Sequence, residues 1–436
     1  MATTLGAETP GLEHSPDVTR KASANYRRAW ITIGFLFVFM LINYADRAIL
    51  GLAAGALIKD LGLSATAFGS IGSAFFLCYS VSALVLGFVI NRASSRWMLF
   101  ALAIVWSIAQ FPMLLLPNFT VLLISRMLLG AGEGPSYPAA IHAAFKWFPD
   151  ERRTLPTSII TQGSAVGVVL AGPVINWIII HFGWQTAFAA LGVIGIVWAV
   201  AWLSFASEGP VTTTVTAAGA RIENVPYLKL LLNPTILTTW FTVFAAFWAL
   251  SLLLVWFPSY LGKGLGFSQE SVGLLSSLPW AGGALVILFF GWLSQRLLSS
   301  GYSSRTSRVL FVCVGGCIGA VCLVLLPLVD STSLKFALVC FGIVLPNAMF
   351  APAQAIQGEI SPVAQRGAVL AIGNAVASTA GMIAPLVTGR LVDLSTSPMG
   401  GYETGFVICG IVVGAANLLG ILLIRPQDQA RRLAAA

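Results

Sequence analysis

Apolar runs of about 20 residues recur along almost the whole of this 436-residue chain. At 1.5 Å per residue, a helix of that length spans about 30 Å, the thickness of a bilayer's hydrocarbon core. Twelve such runs are predicted, at 29–50, 66–90, 97–116, 119–142, 155–180, 184–206, 234–261, 269–295, 307–328, 333–355, 366–391 and 403–424. A content of 57% hydrophobic against 9% charged residues lies outside the soluble range and agrees with an all-α integral membrane protein. The longest polar interruptions are the first 28 residues and the Thr/Ala-rich segment 207–233. They divide the chain into an N-terminal tail (1–28), a first six-helix bundle (29–206), a linker (207–233), a second six-helix bundle (234–425) and a C-terminal tail (426–436).

No apolar core follows a basic start before residue 29, so no cleavable signal is expected and the tail is placed in the cytoplasm. That placement has a consequence for charge. Of the 24 Lys and Arg, 18 then fall in the tails and loops on the cytoplasmic side and four, Lys59, Lys263, Lys335 and Arg390, on the other. This is the bias of the positive-inside rule, and a miscounted helix in the first half would scramble it. The net charge of +8 therefore reads as topology and contact with anionic lipid, not as nucleic-acid binding. The six cysteines, Cys78, Cys313, Cys317, Cys322, Cys340 and Cys409, all sit in apolar spans and read as small buried side chains. No Ser/His/Asp set, metal-type pair or cofactor motif marks an enzyme, and His14, His142 and His181 fall in the tail or near span ends.

The two halves echo each other. After the fourth span the chain reads WFPDERRTLPTS, leading into AVGVVLAGPVINWI; after the tenth it reads EISPVAQRGAVL, leading into GMIAPLVTGRLV. Pro149 and Pro362 are each followed four residues on by an arginine, Arg153 and Arg366, and then at nearly equal spacing by Pro173 and Pro385. GFVINRASSR (Gly87 to Arg96) is likewise matched by GWLSQR (Gly291 to Arg296). Duplicated six-helix halves are a construction used by secondary transporters, which hold substrate near the midplane between halves that rock.

The Gly87–Arg96 loop resembles the G-x-x-x-D-R-x-x-x-R/K signature of the major facilitator superfamily, with Asn91 in place of the usual aspartate. YADR (Tyr44–Arg47), RMLLGAGEGPSYP (Arg126–Pro138), WFPDERR (Trp147–Arg153) and WFPSYL (Trp256–Leu261) are similar to the anion:cation symporter family within it. Members of that family include bacterial galactonate, glucarate and hexuronate transporters and animal sialin-type transporters. The resemblance implies the major facilitator fold, two pseudo-symmetric six-helix bundles, with Gly87, Asn91, Arg92 and Arg96 in a gating loop. Loss of the aspartate weakens the charge relay attributed to that loop.

Four charged residues lie well inside spans: Asp46 and Arg47 in the first, Arg126 and Glu133 in the fourth. Each would cost on the order of 3 kcal/mol at the centre of a lipid-facing helix, so they are expected to face the interior and neutralise one another. Arg126 and Glu133, seven residues apart, share a helix face about 10 Å apart along the axis. Arginine offers a permanent planar fork to a carboxylate, and a buried carboxyl can change charge, so the set suits proton-coupled transport of an organic anion. The resemblance assigns the proton-coupling roles to Asp46 and Glu133, and substrate or pairing roles to Arg47 and Arg126. It also places Tyr79 and Asn374 at family substrate contacts, Gln354 where a tryptophan is usual, and Ser164 where sugar-acid transporters carry glutamine. Tyr44 is expected to present its hydroxyl to the cavity, and Gln357 and Trp280 are candidates beside it. The expected protein is an inner-membrane monomer that imports a sugar acid or aromatic acid with protons; a proton-coupled efflux antiporter is the alternative.

Overall fold

The structure, a computed structural model, describes residues 16–90, 93–148, 153–209, 226–362 and 365–429, and among them it contains helices and turns but no strand. The first half of the chain forms α1 (Pro16–Leu52), α2 (Ala65–Ile90), α3 (Ser95–Gln110), α4 (Phe119–Glu133), α5 (Ser136–Phe145), α6 (Thr154–Phe182) and α7 (Trp184–Phe205). The second forms α8 (Pro234–Val255), α9 (Gln269–Ser299), α10 (Phe311–Val324), α11 (Thr332–Asn347), α12 (Phe350–Ile360), α13 (Arg366–Leu394) and α14 (Pro398–Leu423). The 207–233 segment is described only at its ends, where a short helix, Tyr227–Leu231, precedes α8.

Eleven helical stretches among the described residues are long and apolar enough to cross a membrane. The remaining expected span, 119–142, is carried by α4 and α5, neither long enough alone. Gly134 and Pro135 separate them, and a proline has no N–H to continue the ladder. Hydrogen bonds nevertheless run up to and away from the break, Gly134 N to Gly130 O at 3.0 Å and Ala139 N to Pro135 O at 2.9 Å. The tenth span breaks in the same manner after Asn347, with Pro346 in the last turn of α11. The seventh span breaks too, α8 being followed by Phe257–Ser259 and a π-turn at Tyr260–Gly264, and just past the first span α1 is followed by Ala54–Asp60. Interrupted helices at matching points of the two halves are a device by which transporters build binding sites at mid-membrane.

A second internal match appears at the helix ends. Arg96 donates through Nη2 to the carbonyl of Leu203 in the last turn of α7, and Arg305 donates to the carbonyl of Ile421 in the last turn of α14 at 2.8 Å. Both arginines satisfy carbonyls that a helix C-terminus leaves unpaired. The sequence echo, Gly87 to Arg92 against Gly291 to Arg296, does not reach Arg305, which the structure makes the counterpart of Arg96.

The halves meet along two helix pairs, α2 with α13 and α6 with α9. The closest approaches lie toward one end of each pair. A Cβ on Gly69 would lie 2.4 Å from the Pro385 carbonyl and one on Gly389 2.4 Å from the Ala65 carbonyl, while on α9 Gly273 packs against Asn176. Toward the other end, Gly282, Gly291 and Gly367 have nothing within 4 Å of such a Cβ. Cross-half hydrogen bonds follow the same division. Asp393 accepts from the backbone amides of Ala65 and Thr66 at 2.9 and 2.7 Å, Asn176 and Gln269 bond reciprocally at 2.7 and 2.9 Å, and the Ser80 and Ser378 hydroxyls lie 2.7 Å apart. The molecule is thus closed at the face carrying the α1–α2 connection and splayed at the face carrying the α2–α3 connection.

Candidate functional site

Successive residues of an α-helix point about 100° apart. Asp46 and Arg47 are therefore neighbours in sequence that leave α1 toward different partners. Arg47 Nε donates to Glu133 Oε2 of α4 at 2.7 Å, and its Nη2 donates to Asn43 Oδ1 at 2.8 Å. Asp46 turns toward α3, where Gln110 Nε2 donates to Asp46 Oδ1 at 2.6 Å. The other end of that amide, Gln110 Oε1, accepts from Arg126 Nη2, and Arg126 Nη1 donates to the Asp46 backbone carbonyl at 3.2 Å. The four intramembrane charges thus form one direct ion pair and one ring closed through an amide.

Glycines in α4 bring these groups together. A Cβ on Gly130 would lie 2.2 Å from the Phe75 carbonyl and one on Gly134 2.3 Å from that of Tyr79, so α4 rests directly on the α2 backbone. That approach carries Glu133 to the Arg47 side of α1. Asp46 and Glu133 are fully buried and Arg126 is 1% exposed, whereas Arg47 retains 9%. Of the four, Arg47 is the most exposed.

Aromatic rings complete the setting. The Arg47 guanidinium lies 4.5 Å from the Tyr44 ring centroid, 4.9 Å from Tyr79 and 5.8 Å from Phe75, distances at which a ring's quadrupole attracts a cation. Arg126 lies over Phe188 at 4.8 Å. Tyr44 in turn meets Trp280 of the second half edge-on at 5.6 Å, so the Arg47 corner borders both halves. A small cavity lined by Arg47, Phe75, Phe76, Arg126 and Leu254 opens there.

One oxygen of each buried carboxyl, Asp46 Oδ2 and Glu133 Oε1, has no hydrogen-bond partner. An unpartnered charged oxygen in a buried setting is costly, and protonation relieves that cost.

Tyr79, beside Arg47, is buried and stacks on Phe75. The remaining expected residues are dispersed. Ser164 uses its hydroxyl within α6, donating to Thr161 O at 2.6 Å. Gln354 and Asn374 are exposed on α12 and α13 and stand outside the charged network. Gln357 is buried and spans helices, accepting from Trp240 Nε1 at 2.9 Å. In the expected gating loop, Gly87 lies in the last turn of α2, Asn91 and Arg92 fall outside the described residues, and Arg96 is the cap of α7 described above. Its neighbour Glu208 accepts from Ser94 Oγ at 2.6 Å, from the Arg96 amide at 3.0 Å and from Lys146 Nζ at 2.7 Å.

Two features escaped the sequence reading. Gln110, a lone amide in the apolar run of α3, gave no sign of its partners. A second buried ion pair, Lys335 Nζ to Glu403 Oε1 at 2.5 Å with Tyr260 OH also donating to Glu403 at 3.2 Å, joins the starts of α11 and α14. Lys335 is a loop-edge cation by hydropathy, and nothing local announces its partner.

Fold and site together are those of a polytopic helical transporter: interrupted helices, halves joined at one face, and a charged cluster buried at mid-span. The family model of the Major Facilitator Superfamily matches residues 36–347, and the chain belongs to that superfamily. It is 31% identical over 401 residues to the hexuronate transporter of Bacillus subtilis (strain 168), covering 90% of this chain and 94% of that one. It is 27% identical to a probable L-galactonate transporter of Escherichia coli (strain K12), with 94% and 92% covered. Among solved structures, a bacterial homologue of the human lysosomal transporter Spinster, in an inward-facing and unoccupied conformation, matches with a TM-score of 0.76 at 17% identity over 92% of this chain and 98% of that one. These matches agree with the likeness to sugar-acid transporters read from the motifs, and at the level of the family they make the chain a membrane transporter rather than an enzyme.

Proposed function

We propose that this protein is a proton-coupled symporter that takes up an organic carboxylate, of the sugar-acid or aromatic-acid class, across a bacterial-type inner membrane. The Arg47–Glu133 pair carries the reading. A solute carboxylate that engages the Arg47 guanidinium takes counter-charge away from Glu133 and brings a second negative charge beside it. Both changes favour protonation of Glu133, whose Oε1 already lacks a partner. Anion and proton then reinforce each other's binding, and by linkage the effect is reciprocal, which is the thermodynamic requirement of symport. Sugar-acid names among the relatives support an anionic cargo. Two intramembrane arginines disfavour the alternative, a proton-coupled efflux antiporter of cationic compounds.

In this reading residues 29–206 and 234–425 are two six-helix bundles that rock about the charged cluster, acting as a monomer among membrane lipids. Both tails and the 207–233 linker lie in the cytoplasm, the splayed face is the cytoplasmic one, and Gly87–Arg96 forms part of the gate there. The test is uptake into proteoliposomes of a panel of hexuronates, aromatic acids and small dicarboxylates under an imposed pH gradient. Accumulation of an acid that collapses when the gradient is dissipated supports the proposal. Accumulation indifferent to the gradient, or extrusion of cations in exchange for protons, refutes it.

A further inference from the structure

We propose that Gln110 is a positioning residue for proton coupling: its amide keeps Asp46 linked to Arg126 without letting the two form a permanent ion pair. The inference rests on the symport reading and adds to it a residue outside the four charges.

The orientation of the Gln110 amide follows from its partners. A guanidinium has only donors and an ionised carboxylate only acceptors, so Gln110 must give its oxygen to Arg126 and its nitrogen to Asp46. The reversed amide would set donor against donor and acceptor against acceptor. With Arg126 Nη1 on the Asp46 backbone carbonyl, the ring closes on a single residue of α1. All three side chains are buried, with Asp46 and Gln110 at 0% exposure.

The ring uses Oδ1 of Asp46 and leaves Oδ2 without a partner. A proton arriving at Oδ2 therefore breaks none of these hydrogen bonds, because a carboxylic acid's carbonyl oxygen still accepts from Gln110. Asp46 changes charge while keeping its place, and the change is felt by Arg126 across the amide. The charged groups around Asp46 are Arg126 on α4, Arg47 on its own helix and Glu133 on α4. Gln110 itself does not titrate in this range, so it transmits the change without competing for the proton.

Removal of the amide leaves Arg126 Nη2 and Asp46 Oδ1 both unsatisfied in a buried setting. Arg126 already reaches the backbone of residue 46, and the relaxation open to the pair is direct contact between guanidinium and carboxylate. Such a charge-assisted pair holds the acid ionised and removes it from the coupling cycle.

The experiment compares wild type, Gln110→Met and Asp46→Asn in proteoliposomes with labelled D-glucuronate as probe. Two quantities are read: counterflow exchange without a gradient, and accumulation under an imposed inward proton gradient. Gln110→Met, close in length and apolar, is expected to keep exchange within a few-fold of wild type. Its gradient-driven accumulation is expected to fall roughly tenfold or more, the scale of losing a hydrogen bond to a charged group. In the Asp46→Asn background the same substitution should change neither quantity further. If Gln110→Met cannot be recovered as a monodisperse protein, Gln110→Leu takes its place; it makes neither hydrogen bond and adds no titratable group, and the same split is expected. Wild-type accumulation in the Gln110 variant, loss of exchange and accumulation in equal measure, or additivity with Asp46→Asn overturns the proposal. Absence of gradient-driven accumulation by the wild type of every acid in the panel above, D-glucuronate included, refutes instead the symport reading beneath it.

Discussion

Arg47 combines three roles: it holds Glu133, it is covered by Tyr44 and Tyr79, and it is the most exposed member of the cluster. Removing it strands a buried carboxylate, an error worth about 3–5 kcal/mol. Arg47→Ala is therefore expected to lower the initial rate of acid uptake by at least about 100-fold at that scale. Arg47→Lys should recover little, because an ammonium lacks the planar fork that reaches Glu133 through Nε and Asn43 through Nη2. Glu133→Gln is expected to preserve exchange of labelled acid while losing accumulation under a proton gradient. Side-by-side counterflow and gradient-driven uptake in proteoliposomes check all three, and gradient-driven accumulation by Glu133→Gln would remove Glu133 from the coupling role.

Among elements, the two pairs that join the halves are held by different means at the same end. Asp393 of α13 caps α2 across the divide, and a cap of this kind is worth about 0.5–2 kcal/mol. Asp393→Ala should therefore move the balance between closed and open states of that face by roughly 2- to 30-fold. Gly389→Val should act in the same direction and more strongly, because its side chain must enter space now held by the Ala65 carbonyl. Spin-label distances between α2 and α13 measure both effects, and an unchanged distance distribution in Gly389→Val would count against this account of the closed face. At the opposite face Glu208 ties α3, α5 and the end of α7 together. Burial pushes its carboxyl up, but hydrogen bonds from Lys146, Ser94 and the Arg96 amide outweigh burial and hold it below its usual value of 4.5. A depressed carboxyl stabilises the fold above its unfolded value and loses that contribution as pH falls through the lower folded value. Glu208→Gln is thus expected to lower the melting temperature near pH 7, by a small amount because the site is partly exposed. The gap to wild type should close as the pH drops below about 4.5. Thermal melts in detergent across that range supply the check.

For the molecule as a whole, closure at one face and separation at the other are one conformation of the rocking cycle proposed above. Ser80 and Ser378, with hydroxyls 2.7 Å apart, mark its closed seam. Cysteines at both positions, with the six native cysteines replaced, are expected to oxidise readily, abolish uptake and regain it on reduction. Failure to cross-link in the absence of substrate would mean that another conformation dominates. Much of this architecture was readable from the chain. The number and approximate position of the spans, the excess of Lys and Arg on one side and the location of four charges in mid-span follow from local hydropathy. Lipid imposes that test on each segment separately. Other features were not local. Asp46 and Arg47 are adjacent in sequence, yet helical geometry sends them apart, one to Gln110 and one to Glu133. The fourth span was expected whole, and Pro135 splits it; Arg305 repeats the helix-end role of Arg96 with no matching motif around it. Gln354 and Asn374 stand outside the charged cluster, while Lys335 and Glu403, 68 residues apart, meet in a second ion pair. Hydropathy and spacing settle which stretches enter the membrane, because each answers to lipid alone. Which side chain meets which, and which face is shut, is settled by how helices distant in sequence pack, through glycine contacts and buried hydrogen bonds whose two halves are separately uninformative.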